Sequence, residues 1–117
     1  MDYIDYDTFK KMDIRVGTLK SIETIEGADK LLKCMIDCGD KTDDGEPKLR
    51  QILSGVREYY PEYEKLIGRQ LLYIVNLETR TIRGFESHGM LLAVDGKDGI
   101  PVFLIPEQEV DPGSKVR

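Results

Sequence analysis

The period of apolar and polar positions changes several times along the 117 residues, and each change marks an element. Leu31 to Cys38 (LLKCMIDC) alternates with period two. Leu32, Cys34, Ile36 and Cys38 fall on one face and Lys33 and Asp37 on the other, as a half-buried strand requires. Ahead of it, Ile14 to Ile25 reads as a long first strand. Ile14 and Val16 share a parity that Leu19 breaks, so a bulge or sharp bend is expected near Gly17. A bent first strand lets one sheet fold over into a closed barrel. Gly27-Ala28-Asp29 is the turn that follows. Asp40 to Lys48 holds Gly45 and Pro47 among charges and reads as a hairpin loop. Leu49 to Val56 then gives a third strand, ended by Ser54-Gly55.

The pattern next changes character. Tyr63, Leu66 and Ile67 suit one face of a short helix within Tyr59 to Leu66, with Pro61 at its first turn and Gly68 as its stop. Gln70 to Val75 is a fourth strand. Met90 to Asp95 is a fifth, joined through Gly96-Lys97-Asp98-Gly99 to a sixth, Val102 to Ile105. The start of the chain is an acidic, aromatic arm: Asp2, Asp5, Asp7 and Asp13 surround Tyr3, Ile4, Tyr6 and Phe9. Asp7 is the candidate cap of a helical turn through Lys11 that brings Phe9 and Met12 inward. Such an arm either covers an open barrel end or packs on a second copy. Three strands, a short helix, two more strands and a C-terminal piece is the order of an all-β, OB-fold antiparallel barrel. SH3-like barrels share many of the same signals. The expected organisation is one domain over 1–117, with an N-terminal arm (1–12) and a C-terminal extension (105–117).

Composition narrows the function classes. With 40% hydrophobic and 33% charged residues the chain is globular in type. No apolar run approaches the ~20 residues of a membrane span, and the N-terminus is acidic where a leader would be basic, which reads as a cytoplasmic protein without a membrane partner. The net charge of −5 argues against bulk attraction to nucleic acid, so an RNA contact must rest on local placement of Lys and Arg. Cys34 and Cys38 are the only cysteines. Four residues apart on a strand, their Cα atoms lie about 13 Å from each other, too far to bridge, and both read as reduced core residues. His88 is the single histidine, so neither a metal nor a cofactor is expected. G-x-S-x-G, a P-loop and H-E-x-x-H are all missing, and no carboxylate pair stands out by its spacing. The chain reads as a binding module and not an enzyme.

The candidate binding stretch is Val75 to Ala93, VNLETRTIRGFESHGMLLA. A strand runs into a polar segment with Asn76, Arg80 and Arg83; Gly84 turns the chain, and Ser87 opens the next apolar run. Asn and Ser supply directional hydrogen bonds, and Arg supplies planar forks suited to phosphate. OB barrels bind nucleic acid on strands two and three, flanked by the loops between strands one and two and between four and five. That geometry adds Lys30 at the first loop, Lys33 on the outer face of strand two, and Arg50 on strand three. As a set these seven form a candidate phosphate cradle. The tyrosines fall in the arm, the helix or the closing strand, which favours contacts to RNA backbone and shape over base stacking.

The order N-L-x-x-R-x-x-R-G-x-x-S-x-G-M-L-L-A resembles the signature of the tRNA-binding domain family. F-K-K-M-D-I-R-V-G is similar to that family's opening strand, A-D-K-L-L to its second-strand entry, R-Q-I-L-S-G to its third strand, and E-V-D-P-G-S-K-V to its closing turn. The likeness runs from about Phe9 to the C-terminus. It implies an OB barrel that binds folded tRNA without catalysis, with RNA contacts at Lys30, Arg50, Asn76, Arg83, Ser87 and Met90. Met90 also reads as the first residue of an apolar strand. Thr81 stands where many members carry Lys, so one cation of the cradle is missing, with Arg80 as its candidate substitute. The resemblance further implies a homodimer, with the N-terminal arm and the segment from Ile105 as candidate interface. It also implies methionyl-tRNA synthetase as a partner in protein biosynthesis. A chaperone-like or scaffold branch that holds polypeptide on the same barrel is the alternative.

Overall fold

The computed structural model describes residues 1–117. Its fold is all-β apart from one short helix, α1 (Tyr6–Lys10), and three brief 3-10 turns. The organising strand is β1 (Ile14–Ile25), which serves different neighbours with its two halves. Ile14–Thr18 pairs with β4 (Gln70–Ile74), and Thr18–Ile25 pairs with β2 (Ala28–Asp37). β2 in turn pairs with β3 (Arg50–Ser54), and β4 with β7 (Met90–Leu91), giving one antiparallel sheet in the order β3-β2-β1-β4-β7. Two hairpins stand apart from its ladder: β5 (Arg80–Ile82) with β6 (Phe85–Ser87), and β8 (Ala93–Asp95) with β9 (Pro101–Phe103).

The irregularity expected near Gly17 falls two residues on. Register runs unbroken through Gly17 and shifts between Leu19 and Ser21, and again between Thr24 and Ile25. Gly17 has a different reason to be glycine: a Cβ there would meet Ile36 Cγ2 at 2.6 Å and the Tyr73 ring at 2.9 Å. The parity break that pointed to Gly17 arises in part because both faces of this half-strand are covered. Gly17 and Leu19 face the interior while Val16, of opposite parity, is also buried. Beside Val16 run residues 113–116, which fill the edge that β2 leaves free. Val16 N–H donates to the Ser114 carbonyl at 2.9 Å, and Gly113 N–H to the Val16 carbonyl at 2.7 Å. The C-terminal extension is thus stitched to its own β1.

The main core joins Leu19, Leu32, Cys34, Ile36, Cys38, Ile52, Val56, Leu66, Leu71, Tyr73 and Val75. The alternation of LLKCMIDC is obeyed except at Asp37, which is buried because its carboxylate accepts the Gly39 N–H at 2.9 Å. The expected helix over Tyr59–Leu66 is instead a pair of 3-10 turns, Arg57–Tyr59 and Tyr63–Leu66, interrupted around Pro61. They still serve the core: Leu66 is buried, and Tyr60 stacks on Phe103 of β9 with ring centroids 4.6 Å apart. The cap of α1 is Asp5, not Asp7; its carboxylate accepts the Thr8 N–H at 2.7 Å. Phe9 and Met12 do not turn inward, being 36% and 37% exposed, and Tyr3, Ile4 and Tyr6 are more exposed still.

Candidate nucleic-acid interface

The stretch that reads as a polar loop is a second layer. Arg83 and Gly84 both adopt positive φ, 54° and 83°, at the two central positions of a tight turn. That is the backbone a two-residue hairpin needs to match strand twist. The hairpin sets Ile82 opposite Phe85. Both pack with Leu31, Ile25, Ala28 and Leu53 in a small cluster on the outer side of β2 and β3. The face that OB barrels use for ligands is therefore partly roofed. The sequence held the signal in T-I-R-G-F-E, two short alternating runs about an Arg-Gly turn.

The root of this hairpin is tied down by Ser87 and Arg50. Ser87 is 4% exposed; its Oγ accepts the Leu53 N–H at 3.0 Å and donates to the Gly89 carbonyl at 3.1 Å. Beside it, His88 N–H donates to the Gln51 carbonyl at 2.9 Å, and Gln51 Nε2 to the Glu86 carbonyl at 2.8 Å. These bonds join β6 and its exit to β3, where no strand ladder runs. Arg50 spends four of its five N–H groups internally. Nε and Nη2 grip the Asp40 carboxylate at 3.0 and 3.2 Å, while Nη1 donates to the Val75 and His88 carbonyls at 2.9 and 2.8 Å. Asn76, exposed just past β4, ties the end of the N-terminal arm to it: Oδ1 accepts the Asp13 N–H at 2.8 Å, and Nδ2 donates one proton to the Lys11 carbonyl at 2.6 Å.

Arg15 extends the network. It donates to the Asp13 carboxylate at 2.8 and 3.0 Å and stands 3.6 Å from Asp40. The Arg15 hydrogen bond holds the Asp13 carboxyl below the usual carboxylate range against its partial desolvation. No reactive group hides in the core. Burial pushes the Cys34 thiol up to about 12 and Cys38 to about 11, so both stay protonated at neutral pH.

Cations with nothing of their own chain to hold lie around the roof. Lys30, Arg80 and Arg83 are exposed and enter no hydrogen bond or ion pair through their side chains. Lys30 lies within β2 and not in a loop, because the β1–β2 connection closes between Ile25 and Ala28. Ala28 belongs to the cluster that holds Ile82 and Phe85, so Lys30 and the Arg83 turn border the same seam. Lys33 meets Glu23 at 3.0 Å, and its ammonium lies 4.8 Å from the Phe85 ring centroid. Met90 is 44% exposed on β7. Next to the roof, a groove of about 740 Å³ opens between the 40–48 loop and β6. The set of eight candidates thus divides into side chains that fasten the hairpin or the arm and side chains that surround the roof.

A family model described as a tRNA binding domain matches residues 14–115. Methionine–tRNA ligase of Oceanobacillus iheyensis is 47% identical over 113 residues, which are 97% of this chain and 16% of the ligase. Most of that enzyme's length therefore has no counterpart here. Among solved structures, a MetRS related protein from Pyrococcus horikoshii superposes with a TM-score of 0.86 at 32% identity, covering 100% of both chains. The chaperone CsaA from Bacillus anthracis superposes with a TM-score of 0.81 at 26% identity, covering 99% of this chain and 100% of that one. No helix of the chain is long and apolar enough to cross a membrane.

Proposed function

The chain belongs to the tRNA-binding domain family, and from that premise we propose that it binds folded tRNA without catalysis, by backbone and shape. The observation that carries this reading is the trio Lys30, Arg80 and Arg83, exposed and unpaired about a hairpin fastened to the sheet. Free guanidinium and ammonium groups on a rigid support suit phosphates at fixed spacing. Lys33 adds a cation whose pairing with Glu23, itself well exposed, is readily exchanged for a phosphate. Met90 offers an apolar edge beside them. Arg50 and Ser87 serve this surface from beneath, by fixing the hairpin, while Asn76, exposed and with one amide proton free, remains available to RNA.

The strand order β3-β2-β1-β4-β7, with β6 fastened back to β3, supports an OB-type barrel spanning 1–117 as one unit. Similarity to methionine–tRNA ligases supports a role beside methionyl-tRNA synthetase in the cytoplasm, assisting aminoacylation. The exposed Tyr3, Ile4 and Tyr6 support a homodimer built through the N-terminal arm. The segment from Ile105 is the weaker half of that interface, because residues 113–116 are already engaged with β1.

The test is binding to folded tRNA across a salt series, beside an unstructured RNA of equal length. Preference for tRNA and a falling log–log salt dependence are expected, and Arg80→Ala with Arg83→Ala flattens the slope by about two phosphate contacts. An unchanged slope in that variant removes the hairpin from the interface. A second reading, polypeptide holding, is favoured by the likeness to the chaperone CsaA together with the exposed arm. It gains if tRNA fails to bind at low salt while unfolded protein is kept soluble.

A further inference from the structure

The groove between the 40–48 loop and β6 has the chemistry of a nucleotide slot. Its volume of about 740 Å³ falls among small-ligand sites. Met35, Leu49 and Phe85 give it apolar surface, Gln51 a hydrogen-bonding amide, and Lys41 and Lys48 a cationic rim. Two of these side chains are held in place. Phe85 packs into the cluster under the hairpin, with the Lys33 ammonium over its ring. Gln51 Nε2 is anchored on the Glu86 carbonyl, which leaves Oε1 and the second amide proton for a ligand. One pair of charges beside them cancels, since Arg50 is gripped by Asp40; Glu86 stands 3.3 Å from His88 Nε2. Lys41 and Lys48 join no ion pair, and the acidic residues of the same loop, Asp43, Asp44 and Glu46, are not among those lining the groove.

We propose that this groove receives one unpaired nucleotide of the bound RNA. The base lies against Met35, Leu49 and Phe85, Gln51 hydrogen-bonds its edge, and Lys41 and Lys48 meet its phosphate. The inference rests on the RNA-binding reading above and adds to it a position where an extruded base is accepted. An aromatic surface takes any base face, whereas an amide with one free acceptor and one free donor discriminates among edges. The groove therefore sets the register of a shape reader whose other contacts are phosphates.

The experiment maps amide resonances of the labelled protein during titration with each of the four nucleoside monophosphates, and with inorganic phosphate alone. Folded tRNA binding is measured in parallel on the wild type, on the double variant Lys41→Glu, Lys48→Glu, and on Gln51→Ala. Nucleotides are expected to move Met35, Gln51, Phe85 and His88, and phosphate at equal concentration is not. The double variant weakens nucleotide binding at least about fivefold, the effect of reversing two phosphate contacts, and Gln51→Ala alters the ranking of the four bases. An equal response to phosphate leaves an anion site and overturns the base slot. Resonances that stay still under nucleotides while tRNA binds the wild type overturn the groove and leave the RNA reading intact. Failure of the wild type to bind tRNA removes both. Displacement of nucleotide by an acidic peptide at lower concentration assigns the groove to protein and overturns the proposal.

Discussion

Arg50 and Arg83 carry the same guanidinium fork into opposite surroundings. Arg50 is 21% exposed and donates to one carboxylate and two carbonyls of its own chain. Arg83 sits at a turn apex with a positive φ and donates to nothing. Both match the residue type that phosphate recognition calls for, so type alone gives them equal claims. Hydrogen-bond accounting separates them. A fork with four of its five N–H groups taken by rigid partners keeps one for a ligand, while an empty one on a fixed support has all of them. The same accounting separates Ser87, buried and filled, from Arg80 and Lys30, both empty, and leaves Asn76, exposed with one amide proton free, between them. No buried side-chain nitrogen or oxygen in the chain lacks a partner, so the tie beneath the hairpin is complete.

The largest expected effect breaks this contrast from the Arg50 side. Arg50→Ala strips donors from a partly buried carboxylate and from two carbonyls, and the charged bonds dominate the loss. A cost of about 3 kcal/mol is expected, or roughly 10 °C in Tm for a domain of this size. Arg50→Lys recovers little, since one ammonium cannot reach Asp40, Val75 and His88 together. Arg83→Ala should change stability by less than about 0.5 kcal/mol. Thermal and urea unfolding of the three variants decide the matter. Equal costs at both positions would mean that the Arg50 bonds do not hold the fold.

Next come two substitutions of about 1–3 kcal/mol that reach the barrel by different routes. Ser87→Ala leaves the buried Leu53 N–H without its acceptor. Gly17→Ala forces a methyl against Ile36 and Tyr73, an overpacking cost. The first should also loosen the hairpin, seen as faster amide exchange at Ile82 and Phe85, the hydrogen-bonded pair that flanks its turn, whereas the second should leave that exchange at wild-type rates. Hairpin exchange that rises equally in both would place its anchor elsewhere.

These positions also show what the sequence could and could not disclose. Strands β2 and β4 were legible because each keeps one face buried along its length, and alternation survives. The hairpin β5–β6 left only the faint signal of T-I-R-G-F-E, because each strand is three residues long and polar types outnumber Ile82 and Phe85. The free cations were legible as exposed charges. The internal bonds were invisible for a physical reason: the partners of Asn76, Asp13 N–H and the Lys11 carbonyl, are brought to it across more than sixty residues. Likewise the parity break near Gly17 has two sources, a strand covered on both faces and a register shift between Leu19 and Ser21, and only the second follows from a one-face rule.

A smaller effect tests the outer end of the tie. Because Arg15 lowers the Asp13 pKa in the folded state, the ionised carboxylate favours folding. That contribution is fully present above the ordinary aspartate value of about 3.9 and is lost as pH falls through the lower, folded value. The urea midpoint should hold from neutral pH down to about pH 5 and drop below about pH 4. In Asp13→Asn the starting value is lower and the acid drop shallower. Identical acid profiles in the two proteins would show that Asp13 does not report on this network.

The smallest effect is the sharpest, because stability and binding should move in opposite directions. Arg83 holds φ at 54° at the first central position of its turn, a conformation that costs a residue with a Cβ and suits Asn followed by Gly. Arg83→Asn should therefore stabilise the hairpin by a few tenths to about 1 kcal/mol. It also deletes a free fork, so tRNA affinity should fall and the salt slope flatten by about one contact. A chain selected only for stability would not keep Arg there. If Arg83→Asn raises Tm and leaves RNA affinity unchanged, the turn carries a strained arginine without a use for it. If it lowers Tm, the guanidinium is packed on the fold after all, and the contrast with Arg50 collapses. Only a gain in Tm coupled to a loss in affinity fits a side chain held in an unfavourable backbone for what it touches outside the protein.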